Sequence, residues 1–314
     1  MQSVRGSNVL VTGAAMGLGK LFAANAVKEG AAAVVLWDAN ENALKETAAE
    51  LEAAGGTIHH DVVDVTSQDR VTEAAARVRL DIGPVHVLFN NAGIVRGNGY
   101  FWDNNPKDFL LTMEVNSIGP MLVAREFLPG MIESGRECRL VNIASSAGLN
   151  AIPRMAAYAA SKWAAVGFSD SVRLELEQAG YDQVRVTTVC PTYINTGMFD
   201  GAKGILFTPM LKQEEVVAET WAAMLEGRPF VVMPWTSRMN KVLSGVLPVR
   251  LRDFYLRRVG VYNSMDEFAE DAAAIPAGPA PMITTSAIDF SVPMNPTLWP
   301  ARGPGCRPVA AACR

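Results

Sequence analysis

Residues 8–29 constrain this chain more than any other stretch. An apolar, β-branched run, Asn8-Val-Leu-Val-Thr12, opens into Thr12-Gly13-Ala-Ala-Met-Gly17-Leu-Gly19, and Lys20–Glu29 follows with helical spacing, closed by Gly30. The run reads as a buried strand. Its glycines let the backbone turn sharply and let another group come close. The helix leaving the turn has unsatisfied N–H groups and a positive dipole end at that same point, which suits phosphate. A plain strand–turn–helix would use these residues for chain reversal alone. The context favours a dinucleotide site, with Gly13, Ala15, Gly17, Leu18 and Gly19 around the pyrophosphate.

The alternation continues. Val34–Trp37 is the next strand, and Asp38 stands at its end. It lies about 20 residues past the glycines, where a carboxylate reaches the adenosine ribose hydroxyls. It would repel the extra phosphate of NADP, and neither Ala39 nor Met16 brings a positive charge. NAD is therefore expected over NADP. Asp38 also suits the start of the following helix, Asn42–Ala54, and can serve both ends. Residues 58–65 read as a third strand ending in Asp64 and Val65, also placed at the cofactor. His59 and His60 have no third ligand at metal spacing, so no metal site is expected. A helix over 70–80 leads to the strand Val85–Phe89 and to Asn90-Asn91-Ala92-Gly93. Small and amide residues there suit close approach of a cofactor to Asn91, Ala92 and Gly93. Such alternation predicts the α/β class: a doubly wound Rossmann-type parallel sheet of about seven strands, with helices on both faces.

The second half carries chemistry. A long helix is predicted over 106–131. Pro120 has no N–H for the carbonyl of Asn116, four residues earlier, so the helix should bend and leave that carbonyl free. The carbonyl then holds a relay water, or the bend serves packing alone. Strand 139–143 delivers Ala144, Ser145 and Ser146 at its carboxyl end, where ligands bind in open α/β sheets. The helix over about 156–178 carries Tyr158 and Lys162 in Tyr-Ala-Ala-Ser-Lys, one turn apart on one face. A free tyrosine has a pKa of about 10. A lysine ammonium beside it favours the phenolate, which makes the pair a proton-transfer device. Strand 184–190 ends in Pro191-Thr-Tyr-Ile194-Asn-Thr196-Gly-Met198.

Together these residues resemble the short-chain dehydrogenase/reductase family in its single-domain form, over about residues 5–235. The resemblance rests on TGAAMGLG at 12–19, Asp38, Asp64-Val65, NNAG at 90–93, Asn116, Ser145, YAASK at 158–162 and Pro191-x-x-Ile194-x-Thr196. Ser145 precedes Tyr158 by thirteen positions, as is usual there. Thr192 departs from the glycine that most often follows the proline. VLWD at 35–38, CPTYINTGMF at 190–199 and RDFYLRRVGVYNSMDEF at 252–268 are similar to the retinol and hydroxysteroid dehydrogenase branch. The resemblance implies hydride transfer between a nicotinamide and an alcohol or carbonyl carbon. It implies that Tyr158 exchanges the substrate proton, and that Lys162 lowers the Tyr158 pKa and binds the nicotinamide ribose. Ser145 would hydrogen-bond the reacting oxygen, and Asn116 would anchor a relay water. Thr196 and the backbone at Ile194 would hold the nicotinamide carboxamide, with Pro191 also at the cofactor. A homodimer or homotetramer is also implied, and the small residues after Tyr158 suit a packed partner helix.

Residues 197–209 mix glycine with Met198, Phe199, Ile205, Leu206 and Phe207, as a lid over the substrate or a plain connection. With Leu149, Tyr193 and Met198 as substrate contacts beside Ser145 and Tyr158, a small apolar alcohol or ketone is expected. Residues 1–235 form the catalytic domain in this reading, and 236–270 an amphipathic extension on or near the substrate site. Within 238–258, Met239, Val242, Leu247, Leu251 and Phe254 interleave with Arg238, Lys241, Arg250, Arg252, Arg257 and Arg258. That pattern suits an anionic membrane surface, a pocket cap or a subunit contact. A net charge of −4 argues against a nucleic-acid partner. Cys138, Cys190, Cys306 and Cys313 lack paired spacing, which suits a reducing cytoplasm. The N-terminus does not read as a signal peptide, and no apolar run would span a bilayer. A cytoplasmic protein is expected, with peripheral membrane contact open. From 271 onward Ala, Pro and Gly dominate, predicting a poorly ordered tail. An NADPH-dependent carbonyl reductase and a non-catalytic nucleotide sensor on the same fold are the alternatives. The intact Ser145, Tyr158 and Lys162 favour an enzyme.

Overall fold

The computed structural model describes residues 1–195, 205–206 and 208–266. Strands β1 (Asn8–Thr12), β2 (Ala33–Asp38), β3 (Ile58–Val62), β4 (Val87–Asn90), β5 (Cys138–Ile143), β6 (Val184–Pro191) and β7 (Phe230–Met233) alternate with helices. They form one sheet in the order β3-β2-β1-β4-β5-β6-β7, and every pair is parallel. The order reverses between β1 and β4, so the carboxyl ends of these two strands border the crevice where such sheets bind ligands.

Side chains alternate along each strand and supply two cores. Val9, Val11, Val87 and Phe89 face α1 (Gly17–Lys28), α2 (Glu41–Ala53) and α7 (Gln213–Glu226). On that side Phe22 stacks on Phe89 at 4.5 Å and Phe89 on Trp221 at 5.7 Å between ring centroids. Leu10, Leu88 and Leu140 face α3 (Gln68–Asp81), α5 (Gly119–Glu133) and α6 (Ala156–Gln178), with Trp37 against Phe127. Cys138 and Cys190 are buried free thiols; Cys306 and Cys313 lie outside the described residues.

Two elements differ from the sequence reading. β3 stops at Val62, three residues early. Beyond it the Asp64 carboxylate turns back to accept from Thr66 N and Oγ1 at 2.9 and 2.8 Å. The long helix is α4 (Pro106–Met113), a π turn over Glu114–Ile118, and then α5. In the π turn the Gly119 N–H donates to the Glu114 carbonyl, so the ladder widens by one residue where the sequence predicts a bend. The amphipathic extension is two helices, α8 (Trp235–Val246) and α9 (Val249–Arg258), parted at Leu247-Pro248. Among the described residues no helix is long and apolar enough to cross a membrane.

Candidate active site

The glycine turn is held from both sides. Gly13 and Gly17 have φ of +63° and +55°, a region that favours glycine. A Cβ on Gly19 would lie 2.0 Å from the Gly13 carbonyl oxygen, so a larger residue would force α1 away from the turn. Asn91 Nδ2 donates to the carbonyls of Thr12 and Gly13, each at 3.0 Å. Thr12 Oγ1 accepts from the N–H groups of Asn91 and Ala92 at 3.0 and 3.1 Å. The ends of β1 and β4 are thus clamped together below the crevice. Met16 precedes α1 and gives its first turn no side-chain cap. Those N–H groups lack the usual side-chain acceptor, which fits a pyrophosphate.

Asp38 ends β2 at the rim of this turn. Its Oδ2 accepts from Ala15 N at 3.0 Å and its Oδ1 from Asn40 N at 2.9 Å. It therefore serves both the glycine turn and the start of α2. Leu18 packs on the core beneath. Val65 is buried against Gly119, where a Cβ would come within 2.8 Å of its Cγ2, and Asp64 is exposed.

Ser145, Tyr158 and Lys162 come together at the carboxyl end of β5. Their relative exposures are 8%, 5% and 4%. Ser145 is extended, and its Oγ accepts from Ala147 N at 3.2 Å and hydrogen-bonds Tyr158. Lys162 Nζ donates to the Ile143 carbonyl at 3.1 Å and lies 5.7 Å from the Tyr158 ring centroid. Gly93 lets β4's extension approach: a Cβ there would lie 3.5 Å from Lys162 Nζ and 3.3 Å from Asn116 Oδ1. Asn116 sits in the π turn. Its side chain exchanges two hydrogen bonds with the backbone of Ile94, at 2.8 and 2.9 Å, and donates to Ser161 Oγ at 3.1 Å.

Burial governs the charges. It pushes the Tyr158 hydroxyl up to about 12, with the Ser145 hydrogen bond pulling the other way. It pushes the Lys162 ammonium down to about 8. Burial is the largest influence on Tyr158, ahead of the Ser145 hydrogen bond. The Cys190 thiol is pushed up to about 12 by the same burial, which makes it inert rather than nucleophilic.

The cavity beside Ser145 and Tyr158 is about 10 Å³, room for roughly one water. Ile152, Met155, Tyr193 and Met265 make its apolar wall. Thr192 also lines it, and the Thr192 Oγ1 is buried with no hydrogen-bond partner among the described residues. Leu149 is not at this cavity; it packs behind Ser145 against Ala144, Ala165 and Cys190. Pro191 ends β6, and Ile194 pairs with Leu211 beside it. Thr196, Met198 and most of the segment read as a lid lie outside the described residues. Met265 and Met155 escape sequence reasoning because neither belongs to a periodic or spaced pattern. Thr192 left a signal, a hydroxyl where glycine is usual.

The family model for short chain dehydrogenases matches residues 7–203. Estradiol 17-beta-dehydrogenase 11 of Rattus norvegicus is 35% identical over 260 residues, covering 83% of this chain and 86% of the relative. Epidermal retinol dehydrogenase 2 of Homo sapiens is 33% identical over 273 residues, covering 86% and 87%. Among solved structures, a short chain dehydrogenase/reductase from Burkholderia phymatum in complex with NAD superposes with a TM-score of 0.70 at 28% identity, covering 82% of this chain and 97% of that one. A metagenomic short-chain oxidoreductase in complex with NADP gives 0.61 at 29%, covering 73% and 95%.

Proposed function

Because the chain belongs to the short-chain dehydrogenase/reductase family, of the retinol and hydroxysteroid type, we propose that it interconverts an apolar alcohol and its aldehyde or ketone with NAD. The observation that carries this reading is the meeting of Ser145, Tyr158 and Lys162, with the first two lining an apolar cavity and Lys162 beside the Tyr158 ring. Estradiol and retinol, in the names of the two relatives, are both apolar alcohols.

NAD bound at the glycine turn would supply the hydride acceptor. The protein's part is to hold the reacting oxygen and move its proton. The Ser145 and Tyr158 hydroxyls offer two hydrogen bonds to one substrate oxygen and favour its partial negative charge. In oxidation Tyr158 accepts the alcohol proton, and in reduction it returns one. Tyr158 must first fall from about 12, and each unit is worth about 1.4 kcal/mol. Lys162 is placed to do this as an ammonium. Among the described residues its one hydrogen bond goes to Ile143, so it has N–H groups left for ribose hydroxyls. The Asn116 carbonyl, in the widened turn, anchors the relay water behind it. Asp38 holds the adenosine ribose and disfavours a phosphate there, which sets NAD over NADP.

The surface supports two further parts of the reading. Trp235, Val242, Val246, Val249, Leu251 and Phe254 are exposed on α8 and α9 beside Lys241, Arg250, Arg257 and Arg258. This pattern suits peripheral contact of a cytoplasmic enzyme with anionic lipid, and co-sedimentation with phosphatidylserine vesicles at low salt tests it. Leu110 on α4 and Trp163 and Leu174 on α6 are also exposed, which supports a homodimer or homotetramer through those helices.

The test is reduction of NAD and NADP by the purified protein across retinol, steroid, aryl and long-chain alcohols, followed by nicotinamide absorbance. Turnover with NAD that is lost in Tyr158→Phe is expected. Tight NAD binding without turnover of any alcohol or matching carbonyl would move the assignment to a nucleotide sensor.

A further inference from the structure

The chain's own C-terminal turn stands where a substrate would. After α9 the backbone turns at Gly260, forms a short 3-10 turn over Val261–Asn263 and brings Met265 into the site. Met265 is 2% exposed and packs with Tyr158, Ala147, Met155 and Ala159. What it leaves beside Tyr158 is the cavity of about 10 Å³, which no alcohol of the proposed class can share.

Few bonds hold the turn there. Ser264 is fully buried, and its Oγ lies 2.7 Å from the Tyr193 hydroxyl and donates to the Val261 carbonyl at 2.7 Å. Asp266 pairs with Arg154 at 3.4 Å, with both side chains about a third exposed, so that pair is weak. Arg154 itself holds φ +64°, the one non-glycine residue in the left-handed region among those described. Tyr262 donates its hydroxyl to Asp253 Oδ1 at 2.7 Å, a bond to α9 just before the turn, and Val261 is buried; against Tyr158 itself the hold is the packing of an unbranched, adaptable thioether, a side chain that repacks readily. The closed arrangement also leaves a debit in hydrogen bonding. Thr192 Oγ1 is buried at the same cavity without a partner among the described residues, and Met265, which also lines that cavity, is a poor acceptor. A ligand oxygen would pair it.

We propose that residues 261–266 form a strap in which Met265 occupies the substrate's place on Tyr158, and that the strap withdraws for each substrate to bind. The proposal rests on the reading of this cavity as the substrate site. It makes Met265 a competitor of the substrate rather than a fixed wall, and so a residue that sets how large an alcohol is accepted.

The experiment is peroxide footprinting of the full chain, with oxidation of Met265 read by peptide mass spectrometry. It is run with the protein alone and with saturating NAD plus a long-chain ketone, a pair that cannot react. Met239, which is 48% exposed, is the internal standard. We expect Met265 to be protected in the protein alone and to oxidise about five times faster with the pair bound, against an unchanged Met239. Met265→Ala should lower KM for a long-chain alcohol about fivefold, because the competing occupant is gone. Unchanged protection on binding, or a KM that rises or stays the same in Met265→Ala, overturns the strap. Absence of turnover by the native protein on every alcohol would remove the proposed function instead. The footprint still decides the strap in that case, because it reads binding and not chemistry.

Discussion

Two buried polar clusters lie in the carboxyl half of this sheet, and they are wired in opposite ways. In the first, Asn90 Nδ2 donates to Asn142 Oδ1 at 2.9 Å and to the Pro120 carbonyl at 3.1 Å. Asn142 Nδ2 donates to Ser169 Oγ at 2.9 Å, and Thr188 Oγ1 donates to the same oxygen at 2.7 Å. These neutral links run from β4 through β5 to α6 and β6, and they tie the elements together. In the second, Ser145, Tyr158 and Lys162 are as well buried, yet burial drives the tyrosine up and the lysine down. Asn90 Oδ1 is the exception in the first cluster, buried with no partner among the described residues; the other groups there bond one another, and a polar group satisfied by its own chain stabilises the fold and has nothing to offer a ligand. A group left short of partners costs stability and can bind or react.

The contrast can be broken by substitution. Tyr158→Phe should reduce turnover about a thousandfold, within the range for loss of a general acid–base. It should change the melting temperature by only a few degrees by circular dichroism, since one hydroxyl is lost and the ring that packs with Ala147, Met155 and Ala159 is kept. Lys162→Met should reduce turnover about a hundredfold and yet raise stability at pH 7 by about 1 to 3 kcal/mol, because a buried charge is removed. The sign follows from the protons bound. Between about pH 8, the folded value, and about 10.5, the unfolded one, the native chain has lost a proton that the unfolded chain keeps. Native stability therefore rises with pH across that window, and the advantage of Lys162→Met should fade there in urea titrations.

Asn142→Leu tests the other cluster. It leaves Asn90 Nδ2 with the Pro120 carbonyl alone and removes a donor from Ser169, so it should lose about 2 to 3 kcal/mol in urea unfolding. Its turnover per folded molecule should stay within about twofold, because the side-chain hydrogen bonds of Asn142 go to Asn90 and Ser169 and to no group of the second cluster. If Asn142→Leu lost activity while remaining folded, the division between the two clusters would be wrong. The smallest effect is expected at Asp38, whose oxygens already serve Ala15 and Asn40. Asp38→Asn should shift the ratio of NAD to NADP use about tenfold, or about 1.4 kcal/mol, by removing charge.

Much of the architecture was legible in sequence because the sheet is parallel. Its strands are buried on both faces and read as short apolar runs such as Asn8–Thr12, and each is followed by a helix with one apolar face. Ser145, Tyr158 and Lys162 were legible because their helix and strand positions follow from local spacing. What sequence missed depended on contacts between distant segments. Met265 reaches Tyr158 across more than a hundred residues of chain, and no local periodicity marks it. The Asn90–Asn142–Ser169–Thr188 ladder left faint traces, polar residues inside strands that are otherwise apolar. The electrostatics were the hardest part. Adjacency of a lysine argued for a lowered tyrosine, while the depth of burial, which raises Tyr158 and lowers Lys162, has no sequence signature.

Beyond Asn90 the extended backbone at Ile94 has lost its sheet neighbour, and Asn116 takes that neighbour's role. Its Oδ1 accepts from the Ile94 N–H and its Nδ2 donates to the Ile94 carbonyl, which is the pairing one strand gives another. The side chain acts as a strand one residue long. It keeps the crevice floor extended without filling the space above it. A planar group with donor and acceptor side by side is required, and asparagine and glutamine are the two side chains that carry one.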